Sequence, residues 1–442
     1  MTHTYPPFCM NEQTKKDILK LIRQEVVPAI GCTEPIAVAL AVAKASELLG
    51  EVPANIKVKL SANILKNAMG VGIPGTGMVG LPIAIALGAL IGKSDYGLEV
   101  LKDLSPDGLE QGKKMIANKC IDIALKDTKE KLYIEALVVK DGKEAKAVIC
   151  RQHTHFVFLA KNEEILMDSL STCDEEVSHE EEEDIRLSFG LVHQFATEMP
   201  LEDIRFIMKT AELNKKAAEA SLRGAYGHTV NQTIGGKIGR KYMGDNAHSH
   251  MLVATSAACD ARMDGALIPV MSNSGSGNQG IVATLPVLSF AEDVEASEEQ
   301  LVRAMTMSHL TVIYIKQHLG RLSALCGCVV AAIGASCGIT YLMGGTKEQI
   351  SFAIKNMIGN ITGMICDGAK PSCALKVASG VSTAMLSAMM AIEDKVVNSL
   401  EGIVDEDVDR SIFNLTSIGT VGMEATDRLV LDIMTKKASS SV

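Results

Sequence analysis

The chain has no tryptophan, and only 4% of its 442 residues are aromatic. It is instead rich in methionine (22 residues) and in glycine (37 residues), and the small glycines allow its helices to pack closely. It also has no excess of basic residues: 43 lysines and arginines stand against 53 aspartates and glutamates, which gives a net charge of −10. This balance argues against a nucleic-acid backbone as a partner.

No segment combines the charged start, apolar core and cleavage site of a signal peptide, and the first residues are polar. We therefore expect a cytoplasmic protein, in which thiols stay reduced. The eleven cysteines are then better interpreted as metal ligands, catalytic groups or small core residues than as a disulfide framework.

Two long stretches, residues 67–92 and 322–346, contain almost no charge. Each is long enough to cross a membrane, which would suit a transporter. Both are dense in glycine, alanine, serine and threonine, however, and Pro74 and Pro82 interrupt the first one. We interpret them as buried core helices and expect no membrane association.

The pattern of apolar residues predicts an α+β fold. Residues 55–62 alternate as a strand does, Asp141-Gly142 marks a hairpin turn, and residues 154–160 form a further strand, so we expect a small antiparallel sheet. Residues 109–125 are interpreted as an amphipathic helix. Nearly everything after residue 185 has helical periodicity. The predicted division is an α+β domain over 1–172, an acidic linker over 173–184 and a helical domain over 185–442.

A glycine pattern typical of dinucleotide-binding turns, G-x-G-x-x-G, occurs at Gly275, Gly277 and Gly280. Its context does not support a Rossmann site, because no second parallel strand follows and Glu295 stands in an acidic cluster. We expect no NAD. The same residues offer many unobstructed N–H groups, and a helix beginning near Asn278 would favour an anion. An ordinary glycine-rich loop is the alternative.

Three cysteines cluster with glycine and polar residues in two distant segments: Cys326 in "LSALCGC", and Cys366 and Cys373 in "ICDGAKPSCALK". Cys366 precedes a predicted helix start and Cys373 lies just inside it, where positive N–H groups favour thiolate. Three thiolates suit zinc or a [4Fe–4S] cluster. The chain has no C-x2-C pair here, so the spacing alone leaves core packing open.

Five segments together resemble the L-cysteine desulfidase family (UPF0597), which is related to the alpha chain of the iron–sulfur L-serine dehydratases. They are "PAIGCTEPIAVALA", "KNAMGVGIPGTG", "SNSGSGNQG", "GRLSALCG" and "MICDGAKPSCALKV". The resemblance covers nearly the whole chain. It implies that Cys326, Cys366 and Cys373 hold a [4Fe–4S] cluster with one open iron, and that Cys328 lies outside the ligand set.

The resemblance implies a carbon–sulfur lyase that eliminates sulfide from L-cysteine to give pyruvate and ammonia, with no pyridoxal phosphate. An L-serine dehydratase, or a lyase for another β-substituted amino acid, is the alternative within this class, and an iron–sulfur sensor is the non-enzymatic one. The expected partner is a small amino-acid substrate, and a homo-oligomer is compatible with the sequence.

Cys32 and Glu34, in "GCTEP", are the predicted catalytic residues. Because Cys32 precedes a helix start, we expect its thiol pKa to be lowered, so that it can act as a base, with Glu34 orienting it or capping the helix. A buried cysteine at a helix start is the alternative. The predicted substrate-binding residues are Ser272, Asn273, Ser274, Gly275 and Asn278 for the carboxylate, and Lys66 and Asn67 beside the "GIPGTG" segment. Alternative bases are His228, His248 and His250.

Overall fold

The structure, a computed structural model, describes residues 10–170 and 185–439 of the chain. A mixed part with a six-stranded sheet comes first, and a largely helical part follows, which confirms the predicted α+β class. The elements up to residue 170 are α1 (Glu12–Glu25), β1 (Pro28–Ile30), α2 (Thr33–Leu49), β2 (Asn55–Leu60), α3 (Ala62–Ala68), β3 (Gly72–Ile73), β4 (Met78–Val79), α4 (Leu81–Ile91), a 3₁₀ helix (Ser94–Glu99), α5 (Pro106–Ala117), β5 (Ile121–Leu125), β6 (Tyr133–Lys140), β7 (Lys143–Cys150), β8 (Phe156–Lys161) and β9 (Glu164–Asp168).

The sheet is larger than the small antiparallel sheet predicted from the sequence. Its strand order is β5-β2-β6-β7-β8-β9, and all neighbours are antiparallel except β2 and β5, which run parallel. The interpretation of residues 109–125 as one helix was wrong at its end. Helix α5 stops at Ala117, Lys119 takes a left-handed φ of 55°, and the chain continues as β5 beside β2.

Helix α2 covers the apolar face of this sheet and in turn packs against α4. In β2, Ile56, Val58 and Leu60 are buried while the lysines between them are exposed, as alternation requires. Because α2 lies between two layers, it is apolar on nearly every side. Its first turn, at Cys32, Thr33 and Glu34, is therefore also buried.

The second part consists almost entirely of helices around a separate apolar core. Its elements are α6 (Phe189–Glu198), α7 (Leu201–Ile204), a 3₁₀ helix (Arg205–Ile207), α8 (Met208–Arg223), α9 (Val230–Gly235), α10 (Lys237–Met243), α11 (Ala247–Met263), β10 (Pro269–Met271), α12 (Gly277–Asp293), α13 (Glu298–Leu319), α14 (Gly327–Leu342), α15 (Lys347–Ile361), α16 (Cys373–Ile392), α17 (Val408–Ser417), a π helix (Ile418–Gly422) and α18 (Glu424–Ser439).

The two uncharged stretches form the helices α4 and α14, with 11 and 16 residues, and both are buried in their cores. This confirms their interpretation as core helices. Within residues 10–170 and 185–439, one helix, α16, is long and apolar enough to cross a membrane, and 39% of an 18-residue window of it is buried. It packs against α11, α14 and α15.

Each of the two parts contributes residues to the apolar core of the other. Helix α1 contributes Ile18, Leu21 and Ile22 to the helical core, and β1 pairs antiparallel with β10. In the other direction, Leu431 of α18 packs into the core of the first part. The predicted division into 1–172, 173–184 and 185–442 stays a prediction, because the acidic segment lies outside the described residues.

The G-x-G-x-x-G motif lies between β10 and α12. Strand β10 pairs only with β1, in a two-stranded antiparallel ribbon, so the parallel βαβ unit of a dinucleotide site is not formed around it in the described part of the chain. Gly280 is required for a different reason: a Cβ atom there would lie 1.9 Å from the carbonyl oxygen of Met271. The first turn of α12 can thus pack directly on β10.

We expect Gly280→Ala to destabilise the protein by about 1–3 kcal/mol, because the added methyl group must push α12 away from the β10 backbone. Gly363→Ala is the matched control, since a Cβ atom there meets nothing within 4 Å and the φ of Gly363 is not left-handed. Thermal unfolding of the two variants measures the difference. Equal midpoints would show that α12 does not depend on this close contact.

Candidate functional site

The two cysteine segments lie side by side although 40 residues separate Cys326 from Cys366. The backbone N–H of Cys326 donates to the carbonyl of Met364 at 3.0 Å, and that of Cys366 donates to the carbonyl of Ala324 at 2.7 Å. These bonds flank an isolated antiparallel bridge between Leu325 and Ile365. This backbone pairing brings the two cysteines close together, as diagonal neighbours across the bridge.

Cys373 joins them from the start of α16. Its N–H donates to the carbonyl of Lys370 at 2.8 Å, which closes the turn that leads into the helix. The turn passes through Gly368, whose φ is +88° and whose Cβ would lie 2.3 Å from the carbonyl oxygen of Lys66. Only glycine permits this approach. Cys326 similarly stands just before α14, so both cysteines lie at positive helix ends.

The three thiols line one cavity of about 110 Å³ between the two parts of the molecule. The lining residues come from the first turn of α2, the end of α3, the end of α11, the turn before α12 and both cysteine segments: Cys32, Glu34, Asn67, Arg262, Gly275, Ser276, Asn278, Cys326, Gly327, Cys328, Cys366, Gly368, Ala369, Cys373, Lys376 and Val377.

The three thiols form a soft donor set of the kind that holds an iron–sulfur cluster. In residues 10–170 and 185–439, no three His, Cys, Asp or Glu side chains converge closely enough for one ion. In a cluster, each thiolate binds a different iron, and soft sulfur ligands are the usual choice. Lys376 and Arg262 add positive charge to the walls. Cys328 also lines the cavity, but its thiol donates to the carbonyl of Lys376 at 3.2 Å.

Burial opposes ionisation of these thiols in the absence of a cation. Burial and the neighbouring Cys366 thiol raise the pKa of Cys326 to about 12, and burial also raises the pKa of Cys373. The helix ends alone therefore do not produce the thiolates that the sequence analysis expected. A metal ion that replaces the thiol protons would do so.

The opposite wall carries Cys32, Glu34 and Asn67. The Cys32 thiol donates to Oε2 of Glu34 at 2.9 Å, and Nδ2 of Asn67 donates to Oε1 of the same carboxylate at 3.0 Å. Oδ1 of Asn67 is buried without a hydrogen-bond partner. Both carboxylate oxygens are thus fixed, and one acceptor remains free inside the protein.

The expectation that Cys32 has a lowered pKa was wrong. Burial, with 3% of the residue exposed, raises the pKa of its thiol well above the usual value, and the Glu34 carboxylate raises it further. The Arg262 guanidinium acts in the opposite direction but does not outweigh them. The thiol is therefore protonated and serves as the donor to Glu34.

The residues of the turn that the sequence analysis predicted to bind the carboxylate fall into two groups, those that line the cavity and those that do not. Gly275 and Asn278 line the cavity, together with Ser276, which the sequence analysis did not select. Ser272, Asn273 and Ser274 do not line it, and they hold the turn in place. The Ser272 hydroxyl donates to the carbonyl of Val27 at 2.6 Å, and the Ser274 hydroxyl donates to Oδ1 of Asn273 at 2.8 Å. Helix α12 begins at Gly277, one residue before the predicted start.

A buried polar network centred on His309 fixes this turn. Nδ2 of Asn273 donates to Nδ1 of His309 at 3.0 Å, so Nε2 of the ring carries the proton and donates to Oγ1 of Thr284, also at 3.0 Å. Thr284 in turn donates to the carbonyl of Gly280 at 2.7 Å. Burial lowers the pKa of His309 to about 3, so the ring is neutral.

Sequence reasoning missed Arg262, at the end of α11. It is 4% exposed, lines the cavity, and donates from Nη1 to Oδ1 of Asn278 at 3.1 Å. Its Nε is buried and has no hydrogen-bond partner. The available signal was an arginine among small and apolar residues in "SAACDARM", where the one other charged residue is Asp260.

Lys66 has a different role from the predicted one. Its ammonium group is buried and pairs with Asp427 of α18, which also accepts a hydrogen bond from Asn63 at 2.7 Å. It does not line the cavity. Its neighbour Asn67 does, as described above.

The three alternative histidine bases also lie away from the cavity. His248 contacts Ser382, His250 contacts Asp245 and Asp293 on the surface, and His228 is exposed. A histidine that the sequence analysis did not select, His153, is buried near Glu34. Burial lowers its pKa, the Glu34 charge opposes that effect, and Nε2 has no partner.

Comparisons with known proteins find similar sequences along nearly the whole chain. The family model described as serine dehydratase alpha chain matches residues 95–432. The chain is 70% identical to a UPF0597 protein of Parabacteroides distasonis over 431 residues, which cover 97% of this chain and all of that protein. It is 65% identical to a UPF0597 protein of Bacteroides fragilis over 429 residues, with the same coverage. Identity to a UPF0597 protein of Aeromonas hydrophila is 44% over 421 residues, 95% of this chain and 96% of that protein.

The neutral state of His309 predicts a pH dependence of stability. Since its folded pKa of about 3 lies below the unfolded value near 6.5, the unfolded state binds a proton that the folded state excludes. The unfolding free energy should therefore fall as the pH decreases below 6.5, by about 1.4 kcal/mol per pH unit more than in His309→Gln. Urea denaturation at pH 7, 6 and 5 measures the two slopes.

His250→Gln provides a control of opposite sign. Hydrogen bonds to Asp293 and Asp245 raise the pKa of His250, so its contribution is present at low pH and is lost as the pH rises through the folded pKa. Parallel pH profiles for wild type and His309→Gln would contradict the assignment of a buried, neutral ring.

Proposed function

The chain belongs to the UPF0597 family and carries a serine dehydratase alpha chain domain, and from this premise we propose that it is an iron–sulfur-dependent L-cysteine desulfidase. The reaction eliminates sulfide from L-cysteine, and the resulting aminoacrylate tautomerises and hydrolyses to pyruvate and ammonia. One observation carries the proposal. Three thiols from two chain segments converge on a cavity whose opposite wall holds the Cys32–Glu34 pair.

Cys326, Cys366 and Cys373 would hold a [4Fe–4S] cluster in this proposal, and the sulfur-only donor set and the cationic walls support it. Such a cluster, if held by three protein ligands, would supply a Lewis-acidic iron that favours departure of the group at Cβ. Cys328 is left out of the ligand set because the family resemblance implies only the other three cysteines, and its thiol donates a hydrogen bond to the carbonyl of Lys376.

Cys32 and Glu34 would move the proton from Cα. The Cys32 thiol donates to Glu34, so the carboxylate is placed to take the thiol proton in the same step in which the sulfur accepts the Cα proton. A separate, earlier loss of the thiol proton is unfavourable, because the pKa of Cys32 is raised well above its usual value. As the sulfur of Cys32 accepts the Cα proton, the C–H electron pair forms the Cα–Cβ double bond and the Cβ–S bond breaks with its electrons leaving on sulfide.

The remaining walls suit the two charged groups of an amino acid. The first turn of α12, with Gly275, Ser276 and Asn278 at the cavity, places a positive helix end near a bound carboxylate. On the other side, Oδ1 of Asn67 is a buried acceptor without a partner, suited to an ammonium group. A protein that only sensed iron or oxygen would not need these groups.

L-Serine is the second candidate substrate, and the matching family model favours it by its description. The same residues would remove the same Cα proton, and the group lost from Cβ would be water rather than sulfide. Assays of pyruvate with L-cysteine and L-serine, with sulfide measured in parallel, separate the two candidates.

We expect anaerobically purified protein to contain iron and acid-labile sulfide and to lose most of both in Cys326→Ser, Cys366→Ser and Cys373→Ser. Each change removes one of the three proposed ligands and leaves a hydroxyl, a much harder ligand, in place of the thiol. Cys328→Ser should keep the iron, and Cys120→Ser, outside the cavity, is the control for cysteine loss in general. A colourless wild type after anaerobic reconstitution would refute the proposal.

Cys32→Ser should keep iron and sulfide at wild-type levels and lower kcat about 10²- to 10⁴-fold, the range of a lost general base. Metal analysis and pyruvate production on the same preparation test this. Glu34→Gln should lower kcat in the same way, because an amide cannot accept the thiol proton. Loss of iron in Cys32→Ser would instead make Cys32 a ligand.

A further inference from the structure

Arg262 is a buried cation in the cavity with no anionic partner among the described residues. It stands at the end of α11, 4% exposed, and its only recorded side-chain bond is the one from Nη1 to the neutral Asn278. A buried guanidinium without a counter-ion is costly, and proteins usually pair or neutralise such groups. The buried Nε of Arg262, which has no hydrogen-bond acceptor, is consistent with a missing counter-ion.

The neighbouring turn makes room for this side chain. A Cβ atom on Gly277 would lie 2.2 Å from Nε and 2.7 Å from Cζ of Arg262, so any larger residue would displace the guanidinium. Glycine is therefore needed at the central position of the G-x-G-x-x-G motif because it allows the Arg262 side chain to lie against the start of α12. Two positive features, the guanidinium and the helix end, then face the same space.

We infer that Arg262 binds the α-carboxylate of the substrate and that the cavity accepts only amino acids with this group free. Guanidinium groups bind carboxylates through paired N–H donors, and Asn278 engages only Nη1. Arg262 also lies close enough to Cys32 for its charge to act on that thiol. A carboxylate bound here lies near the base that takes the Cα proton, as the geometry of an α-amino acid requires.

This inference rests on the proposed function for its substrate, but one test does not need turnover. L-Alanine has the ammonium and carboxylate groups and no leaving group at Cβ, whereas L-alaninamide lacks the carboxylate. L-Alanine should raise the melting temperature of the holoprotein, as any ligand of the folded state does, and L-alaninamide should not. In Arg262→Gln, the shift with L-alanine should disappear.

Kinetics supply the second readout. Arg262→Gln should lower kcat/KM for L-cysteine roughly 30- to 1,000-fold, mainly through KM, because a buried charge partner is lost. Arg262→Lys should recover part of the loss, since it restores the charge but not the planar donor pair. Iron and sulfide content should stay at wild-type levels. Arg240→Gln, which removes an exposed arginine of α10, is the matched control.

Two changes in the turn test the inference without altering Arg262. Gly277→Ala should raise KM because the methyl group displaces the guanidinium. Asn278→Asp should raise KM because it supplies Arg262 with a carboxylate partner inside the cavity. Unchanged KM in Arg262→Gln, or iron loss without a change in KM, would overturn the inference. If the wild type proves to have no lyase activity but L-alanine still raises its melting temperature, and Arg262→Gln abolishes that rise, the inference about Arg262 stands although the proposed reaction is refuted.

Discussion

Two backbone hydrogen bonds and one antiparallel bridge hold the centre of this molecule together. They join residues 324–326 to residues 364–366, and neither segment belongs to a regular strand. Helix α14 begins directly after residues 324–326, and residues 364–366 are followed by the Gly368 turn and α16. The positions of the three thiols therefore depend on this pairing. Because backbone groups make the bonds, the arrangement does not depend on a particular side chain at 325 or 365.

Local signals predicted much of the fold. The Asp141-Gly142 turn joins β6 and β7 with both residues at positive φ, and the alternation in β2 matches its buried face. Strand β5 was missed because its pairing with β2 is parallel and depends on a long connection that contains three α-helices, not on a nearby turn. A pattern of alternate apolar residues after a helix is compatible with a continued helix until a partner strand is known.

The site was less predictable, because its residues are defined by partners far along the chain. Spacing alone left Cys326, Cys366 and Cys373 ambiguous, and the family resemblance supplied their grouping. Lys66 and Asn67 are adjacent, yet one pairs with Asp427 and the other faces Glu34. Arg262 does not belong to any of the sequence motifs described above. Its burial without an anionic partner in the described part of the chain is revealed only by three-dimensional packing.

The pairing of Lys66 with Asp427 links the site to the order in which the chain is made. The ammonium group is 1% exposed, and its carboxylate partner follows 361 residues later in the chain. Lys66 therefore lacks this counter-charge until α18 has been synthesised. The Lys66 carbonyl also contacts the Gly368 turn between two of the cysteines. During synthesis from the N-terminus, this corner is therefore completed last, after all three thiols have emerged from the ribosome.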